Sequence, residues 1–488
     1  MKMSIKKIIV CAILVGSIIS CKKVLNVEPQ FNLDGTTRFN TISDYEFALV
    51  GTYRLFRSTS YYGAANGASN AYATLPDALS DNLNETSESL GNARVFSNWA
   101  YAKDENQVEN TWLAAYRIIS QANLVLTGID KLSGTDAGAV NRIKAQALAI
   151  RALVHFDILR YWVDDYDRNS SLPGIPYITR FDYEQKPPRG TVKQTYDSIE
   201  FDLATAKALM ADMDKPINSG SINSGTSRAY IDEIAVNAIL ARESLYSNQL
   251  DNAIAYATLV IDARPLASRT DFPRIWQDAS TAEVIWSVVF DAGQGLVGGN
   301  VYFPPSNRSE YRPNPTLVAT YSQANDIRYP SYFQTRNTNG GTPRLVLSKY
   351  LGKEAQFQLS RPDGVVNFKA LRTGEMYLIR AEAYARNGNF LAGLADLNTL
   401  RAARIAGFVL GAETGAALLS AIELERRKEL IAEGHRWFDL KRTTRTINRT
   451  NCTTSFCTLL PGDPAWTWPI PQPEIDANPN ILPQNPGY

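Results

Sequence analysis

The strongest pattern along the chain is an apolar repeat of helical period. Between Val140 and Trp162, apolar residues recur at steps of three and four: Ile143, Ala147, Ile150, Val154, Ile158 and Tyr161. This spacing places them on one face of an amphipathic helix. Trp112 and Tyr116, one turn apart, predict an earlier helix that continues towards Leu126. The pattern therefore predicts a mainly α-helical protein.

Two segments repeat the same arrangement of helix, short polar turn and helix. Residues 241–257 resemble the segment that begins at residue 381 at one offset of 140, and the apolar residues Leu250 and Phe390 close the two turns. Small residues in the second helix allow paired helices to approach closely, which is typical of tetratricopeptide hairpins. Two unrelated helical hairpins would be the plainer interpretation. We expect tetratricopeptide-like hairpins as the scaffold, with 112–162 and 191–212 as candidates for further degenerate units.

Three regions lack helical periodicity. Residues 60–110 are rich in Gly, Ala, Asn and Ser with interspersed aromatic residues, and residues 291–316 are rich in Gly and Pro. Both are predicted to be long, loop-rich insertions. The last 28 residues contain eight of the 24 prolines, together with Trp466 and Trp468. Because proline interrupts helices, this region is predicted to be an extended strap that packs onto the body.

The first twenty residues, 1–20, are predicted to be a signal peptide. Lys2, Lys6 and Lys7 precede an apolar run of twelve residues, which is too short to span a bilayer as a helix. The run ends directly before Cys21, in a sequence similar to a bacterial lipobox. An ordinary secretory signal is the alternative. We expect an exported protein that is anchored to a membrane by a lipid on Cys21.

Composition argues against several classes of function. The chain has 50 Lys and Arg against 49 Asp and Glu, and its formal charge of +1 becomes −2 without the signal peptide, so a nucleic-acid ligand is disfavoured. Only His155 and His435 occur, which argues against a multi-histidine zinc site. We expect no metal and no cofactor. Cys452 and Cys457 form a C-x4-C pair and are a disulfide candidate in an exported protein.

Motifs that resemble nucleotide or catalytic sites have structural explanations. The G-x-G-x-x-G motif at 293–298 is followed by residues that cannot open the helix needed to hold a pyrophosphate. The charged residues 423–433 are typical of a salt-bridged helix face, with Glu423 and Arg427 as i,i+4 partners. Gly434 is predicted to end that helix. Since no constellation singles out a catalytic pair, we predict that the protein is not an enzyme.

Several short motifs stand in a fixed order, most densely in the last quarter of the chain. They are Tyr377-Leu-Ile-Arg-Ala-Glu-Ala-Tyr384, Asp396-Leu-Asn-Thr-Leu-Arg401, Glu425-Arg-Arg-Lys-Glu-Leu430, Glu433-Gly-His-Arg-Trp-Phe-Asp-Leu-Lys-Arg442, Trp468-Pro-Ile-Pro471 and Gln484-Asn-Pro-Gly-Tyr488. Together with the lipobox, they resemble the SusD/RagB family of Bacteroidota outer-membrane lipoproteins. On this resemblance, residues 21–270 form an N-terminal region with helical repeats and ligand loops. Residues 271–488 form a C-terminal region with a repeat hairpin and the proline-rich strap.

The resemblance implies a scaffold of four tetratricopeptide-like hairpins and a function in nutrient uptake. It implies a lipoprotein on the extracellular side of the outer membrane that captures oligosaccharides and delivers them to a TonB-dependent, SusC-like barrel. It also implies that the charged motifs of the last third maintain the fold and do not catalyse a reaction. The alternative is a tetratricopeptide-type adaptor that binds peptides or proteins at the outer membrane. A surface hydrolase, which would turn over a glycan, is a further alternative.

Candidate ligand-binding residues come from side-chain chemistry, because the ligand loops vary within the family. Sugar rings present C–H faces to aromatic rings, and their hydroxyls bind amide, carboxylate or guanidinium groups. Irregular surface segments that carry such residues are therefore predicted to form the site. The candidates are Tyr61, Tyr62, Tyr72, Asp81, Asn82, Arg94, Trp99 and Tyr101 in the first loop region, and Tyr302, Asn307, Tyr311 and Arg312 in the second.

Overall fold

The computed structural model describes four ranges of the chain: residues 39–65, 69–214, 228–452 and 456–488. The predicted signal peptide and Cys21 lie outside the described residues. Helices dominate and the strands are short, so the predicted mainly α-helical fold is confirmed. Among the helices of these ranges, none is long and apolar enough to cross a membrane.

The elements alternate long helices with short helices and strand pairs. The helices are α1 (Ile42–Leu55), α2 (Leu75–Leu79), α3 (Arg94–Ser97), α4 (Asn106–Leu126), α5 (Ser133–Trp162), α6 (Val192–Met210), α7 (Glu233–Tyr246), α8 (Leu250–Ala263), α9 (Phe272–Ile275), α10 (Pro315–Val318), α11 (Arg328–Tyr332), α12 (Glu354–Phe357), α13 (Thr373–Arg386), α14 (Phe390–Arg404), α15 (Gly415–Glu429), α16 (Arg436–Arg442) and α17 (Gln472–Ala477). Short 3-10 turns lie at Ile129–Leu132, Pro304–Ser306, Pro464–Trp466 and Pro479–Ile481. The strands are β1 (Leu83–Glu85), β2 (Val284–Val288), β3 (Tyr302–Phe303), β4 (Arg308–Ser309), β5 (Tyr311–Pro313), β6 (Phe333–Asn337), β7 (Pro343–Leu347), β8 (Phe368–Arg372), β9 (Ile447–Asn448) and β10 (Thr458–Leu459). They form antiparallel pairs: β1 with β5, β2 with β8, β3 with β4, β6 with β7, and β9 with β10.

The two repeated segments form matching helical hairpins, α7–α8 and α13–α14. Each turn contains one residue in the left-handed conformation, Asn248 with φ of 64° and Gly388 with φ of 80°. Asn and Gly occupy this conformation more readily than other residues, which explains why Asn stands at this position of one turn and Gly at the same position of the other. A Cβ atom on Gly393 would lie 2.8 Å from the Ala381 carbonyl oxygen. The helices therefore cross closely because the residue at the crossing is small.

The hairpins stack on one another, and α5 is the central helix of the rest of the scaffold. Helix α8 packs against α13, while α4 and α6 both pack against α5. Polar bonds join the two hairpin turns: Asn387 Nδ2 donates to Asp251 Oδ1 at 2.7 Å, and Arg386 Nη2 donates to Asn248 Oδ1 at 2.5 Å. From Ala139 onwards almost every residue of α5 is buried, as expected of a helix that is covered on several sides.

The last 28 residues lie across the central helix as a strap. The Trp468 ring stacks on the Tyr161 ring at a centroid distance of 3.9 Å, and Trp162 Nε1 donates to the Pro469 carbonyl at 2.8 Å. Asn485 Nδ2 donates to the Trp162 carbonyl at 2.9 Å. The Asn485 bond satisfies the Trp162 carbonyl at the end of α5, where helical partners are absent. The strap is therefore an integral part of the core.

The charged residues of the last third form a buried ion network behind α15. The Arg372 guanidinium donates to Glu283 at 2.6 Å and to Glu433 at 2.7 Å, and Arg404 binds Glu283 and Glu429. Burial raises the pKa of Glu429, but Arg404 and Arg372 outweigh it and hold that pKa well below its ordinary value. Removing one partner from such a network leaves an uncompensated buried charge, so these motifs stabilise the fold.

The predicted ion pair between Glu423 and Arg427 is wrong. Arg427 Nε instead donates to Asn82 Oδ1 at 2.7 Å, and its Nη2 lies 3.2 Å from a carboxylate oxygen of Asp81. Glu423 binds the exposed Arg445 at 2.7 Å. Helical spacing alone did not reveal that the loop around residue 81 lies against this face of α15.

Candidate functional site

Most of the aromatic residues proposed as sugar platforms are buried, and that part of the prediction is wrong. Tyr61, Tyr62, Tyr72, Tyr101, Tyr302 and Tyr311 each expose 3% or less of their surface. Other aromatic rings pack on four of them, Tyr61, Tyr62, Tyr72 and Tyr101, and the Tyr61 and Tyr72 centroids are 4.4 Å apart. Internal partners bind the hydroxyls of four of them, Tyr61, Tyr101, Tyr302 and Tyr311, and the Tyr61 hydroxyl donates to Asp157 at 2.5 Å. A ring without a free face cannot stack on a sugar.

Three other candidates bind partners within the protein. Asp81 accepts from Arg436 Nε at 2.8 Å, and Asn82 is buried and donates to Asp77 at 2.7 Å. The Trp99 indole donates to the Leu79 carbonyl at 2.9 Å. Their polar groups are occupied by partners within the protein, so the structure gives these residues a positioning role.

The two predicted loop regions meet through a pair of strands. Strand β1 of the first region pairs with β5 of the second, with Asn84 opposite Arg312. Arg312 Nη2 also donates to Glu88 Oε1 at 2.7 Å. In the second region, Asn307 adopts φ of 54° and accepts a hydrogen bond from the Tyr302 hydroxyl at 2.7 Å. The structure therefore brings together the two regions that the sequence selected separately.

A third segment completes this surface. The β9–β10 hairpin carries a disulfide between Cys452 and Cys457, whose Cα atoms are 5.7 Å apart. The side chain of Arg449 donates to five backbone carbonyl groups: those of Ala78, Leu79, Ser80, Ser97 and Phe456. Its guanidinium also lies 4.1 Å above the Trp99 ring, and burial lowers the pKa of Arg449 to about 10. We call the surface formed by residues 80–99, 307–314, 447–452 and 456–459 the loop junction.

The loop junction presents polar side chains around a shallow depression. Arg94 is 54% exposed and lies 2.9 Å from Glu85, whose hydrogen bond raises the pKa of the guanidinium. Asn84, Asn98 and Asn451 line the depression, which has a volume of about 30 Å³. Amide, carboxylate and guanidinium groups of this kind bind hydroxyl groups of a ligand.

Phe456 supplies the exposed aromatic ring that the predicted tyrosines lack. It lies next to Cys457 on the hairpin, and 42% of its surface is exposed. Phe456 was not among the candidates from the sequence, because Cys452 and Cys457 were considered only as a disulfide pair. The feature of the sequence that could have indicated Phe456 is an aromatic residue inside a short loop closed by two cysteines, because such a loop lies at the surface.

Neither histidine is available for proton transfer. His155 Nε2 accepts from the Ile178 amide at 3.0 Å, and burial lowers the pKa of His155 to about 3. His435 is also buried, and burial holds its pKa well below the ordinary value. Within the described ranges, no group of three or more His, Cys, Asp or Glu residues is arranged to hold a metal ion.

A scaffold of helical hairpins that carries a shallow, polar loop surface defines a binding protein. Residues 58–231 match a SusD-like family described as starch-binding and associating with the outer membrane, and residues 306–488 match the SusD family. The chain belongs to the SusD/RagB family, whose members are binding proteins and not enzymes.

Relatives and solved structures agree with this membership over nearly the whole chain. SusD-like protein P2 of Formosa agariphila is 24% identical over 92% of this chain and 93% of its own length. SusD-like protein P25 of the same organism is 32% identical, but over only 31% of its length. A SusD superfamily structure from Bacteroides thetaiotaomicron has a TM-score of 0.77 at 25% identity, covering 92% of this chain and all of that one. Surface glycan-binding protein A from Bacteroides fluxus shares the fold, with a TM-score of 0.73 at 18% identity over 92% of this chain and all of its own.

Proposed function

We propose that this protein captures oligosaccharides at the loop junction and delivers them to a TonB-dependent outer-membrane transporter. The observation that carries the proposal is the loop junction itself. Two loop regions and a disulfide-closed hairpin form one surface, which combines an exposed aromatic ring with amide, carboxylate and guanidinium groups. This is the combination of groups that recognises a sugar ring and its hydroxyls.

The family description supports both the ligand class and the place of action. The N-terminal match is to a family described as starch-binding and associating with the outer membrane. The lipobox predicted at Cys21 supplies an anchor for that location. Binding and transfer require no covalent chemistry, in agreement with two buried histidines that stay uncharged near neutral pH.

Native affinity electrophoresis tests the capture step. The mature chain is run through gels that contain soluble starch, xylan, laminarin or pullulan, and we expect retardation by at least one polysaccharide. Arg94→Ala and Phe456→Ala should each weaken that interaction about tenfold, because each removes a charged hydrogen-bonding group or a ring face.

The matched control is Arg274→Ala. Arg274 is 47% exposed and pairs with Asp271 outside the loop junction, much as Arg94 pairs with Glu85. The control should migrate like the unaltered protein in every gel. If Arg94→Ala and Phe456→Ala also bind as tightly as the unaltered protein, the loop junction is not the site. If no polysaccharide retards the chain but peptides bind it, the adaptor function replaces the glycan function.

A further inference from the structure

A second concave site lies between α4, the segment 176–187 and the strap. Its volume is about 540 Å³, which lies within the range of ligand-binding cavities in proteins. Trp112 and Tyr116 of α4 form one wall, and residues 474–481 of the strap contribute another. We call it the strap cavity. It shares no lining residue with the loop junction.

An unusually exposed aromatic ring stands at the strap cavity. Tyr183 lines the cavity and exposes 84% of its surface. Phe181 contacts it edge-on, with a centroid distance of 4.9 Å and an interplanar angle of 70°. Across the wall, the Trp112 and Tyr116 rings lie 4.8 Å apart. The exposed Tyr183 ring offers a face on which the C–H groups of a sugar can stack, whereas Trp112 is buried and belongs to the packed wall behind it.

The segment that carries Tyr183 is held in place before any ligand binds. Gln185 Nε2 donates to the carbonyls of Arg180 and Asp182, both at 2.9 Å. The strap fixes the end of the segment, since Asn478 donates to the Pro187 carbonyl at 2.8 Å. A site that is ordered in advance loses little conformational entropy on binding.

Charged side chains of the segment remain available to a ligand. Arg180, Asp182, Glu184 and Lys186 form no ion pair with any residue that the structure describes, and all four line the cavity. With Glu474 on the strap, the lining carries two cations and three carboxylates. This mixture does not select a strongly charged ligand, whereas a neutral polyol can donate to the carboxylates and accept from the cations.

We propose that the strap cavity is a second glycan-binding site, in which rings of a neutral oligosaccharide stack on Tyr183 and bond to the charged groups of the 180–186 segment. The ligand class rests on the proposed function, but the location does not. Two separated sites on one chain would hold a polysaccharide at two points and raise its effective affinity without a deeper pocket.

Hydrogen–deuterium exchange tests this site separately from the loop junction. The mature protein is labelled with deuterium alone and in the presence of about 10 mM maltoheptaose, xylohexaose or laminarihexaose. Shallow sites bind weakly and need a concentration of this order. We expect an oligosaccharide that slows exchange at the loop junction to slow it also in residues 176–187 and 474–481. Tyr183→Ala should weaken binding at the strap cavity about tenfold and leave protection of the loop junction unchanged. Tyr183→Phe, which keeps the ring face, should retain both.

The outcomes separate the two proposals. Protection confined to the loop junction overturns the second site and leaves the proposed function intact. Protection at neither surface by any of the three sugars contradicts both. If a casein digest protects residues 176–187 and the sugars do not, the strap cavity binds peptide and the proposed ligand class is overturned. Loss of protection in Tyr183→Phe as well as Tyr183→Ala would contradict stacking as the cause.

Discussion

Replacing Arg449 with leucine tests whether one side chain holds the loop junction together. Arg449 Nε donates to the Ser80 carbonyl at 2.8 Å, and Nη2 donates to the Leu79 carbonyl at 2.7 Å and to the Ala78 carbonyl at 3.1 Å. Nη1 donates to Phe456 at 3.1 Å on the hairpin, and also to the carbonyl of Ser97. Leucine fills part of the volume and satisfies none of these acceptors.

The expected loss of stability follows from the acceptors that water cannot reach. A buried carbonyl without a partner costs about 1–3 kcal/mol. If repacking or water satisfies three of the five, the remaining two give a loss of about 3 kcal/mol in the free energy of unfolding. The hairpin should also separate from the first loop region. The free energy of glycan binding at the loop junction should therefore fall by more than the free energy of unfolding.

Guanidinium chloride unfolding and glycan electrophoresis of the same protein samples measure both effects. Arg445→Leu is the control, because Arg445 is four residues away from Arg449, is 52% exposed and forms an ion pair with Glu423. It should change stability by less than about 0.5 kcal/mol. Arg449→Lys should lie between, since an ammonium cannot reach all five carbonyls. If Arg449→Leu unfolds at the same denaturant concentration as the unaltered protein, the reasoning is refuted.

Three further perturbations have defined outcomes. Burial lowers the pKa of His155 to about 3, so below about pH 6.5 the unfolded chain binds a proton at this histidine and the folded chain does not. Between pH 7 and pH 5, the free energy of unfolding of the unaltered protein should therefore fall by about 2 kcal/mol more than that of His155→Gln. Urea unfolding at each pH measures the difference. Trp99→Ala should lower the midpoint temperature of thermal unfolding, because it exposes the guanidinium of Arg449. Trp99→Phe should lower that temperature less. Equal midpoint temperatures for Trp99→Ala and the unaltered protein would contradict a stabilising contact. The double replacement of Cys452 and Cys457 by serine should reduce stability by about 2 kcal/mol in denaturant titrations, the amount expected for a short closed loop, and no change would mean that the bond contributes nothing.

The helical scaffold could be predicted from the sequence because its cause is local. Apolar spacing predicted α5, and the alignment of two short segments at an offset of 140 residues predicted the α7–α8 and α13–α14 hairpins. Even the left-handed turn residues, Asn248 and Gly388, align in the sequence. Features of this kind depend on residues within a few turns of one another, and a single sequence contains that information.

The binding surface was predicted less well because burial depends on distant partners. Tyr61 looked like a loop residue, yet its hydroxyl binds Asp157, 96 residues away. Arg427 looked like a partner of Glu423, yet it binds the loop at residue 81. An irregular segment can be as deeply buried as a helix, and composition does not distinguish the two cases. Tyr183 met the same chemical criteria and is exposed, but no local feature ranked its segment above the others.

Purification of the full-length protein from detergent extracts of outer membranes tests delivery to a transporter most directly. The tagged chain is extracted in detergent, washed, and its companions are identified by mass spectrometry with a tagged, unrelated lipoprotein as the control. We expect to recover a large TonB-dependent barrel in near-equal amount with the tagged chain. A chain that is recovered alone, or only with soluble proteins, would contradict delivery to a transporter.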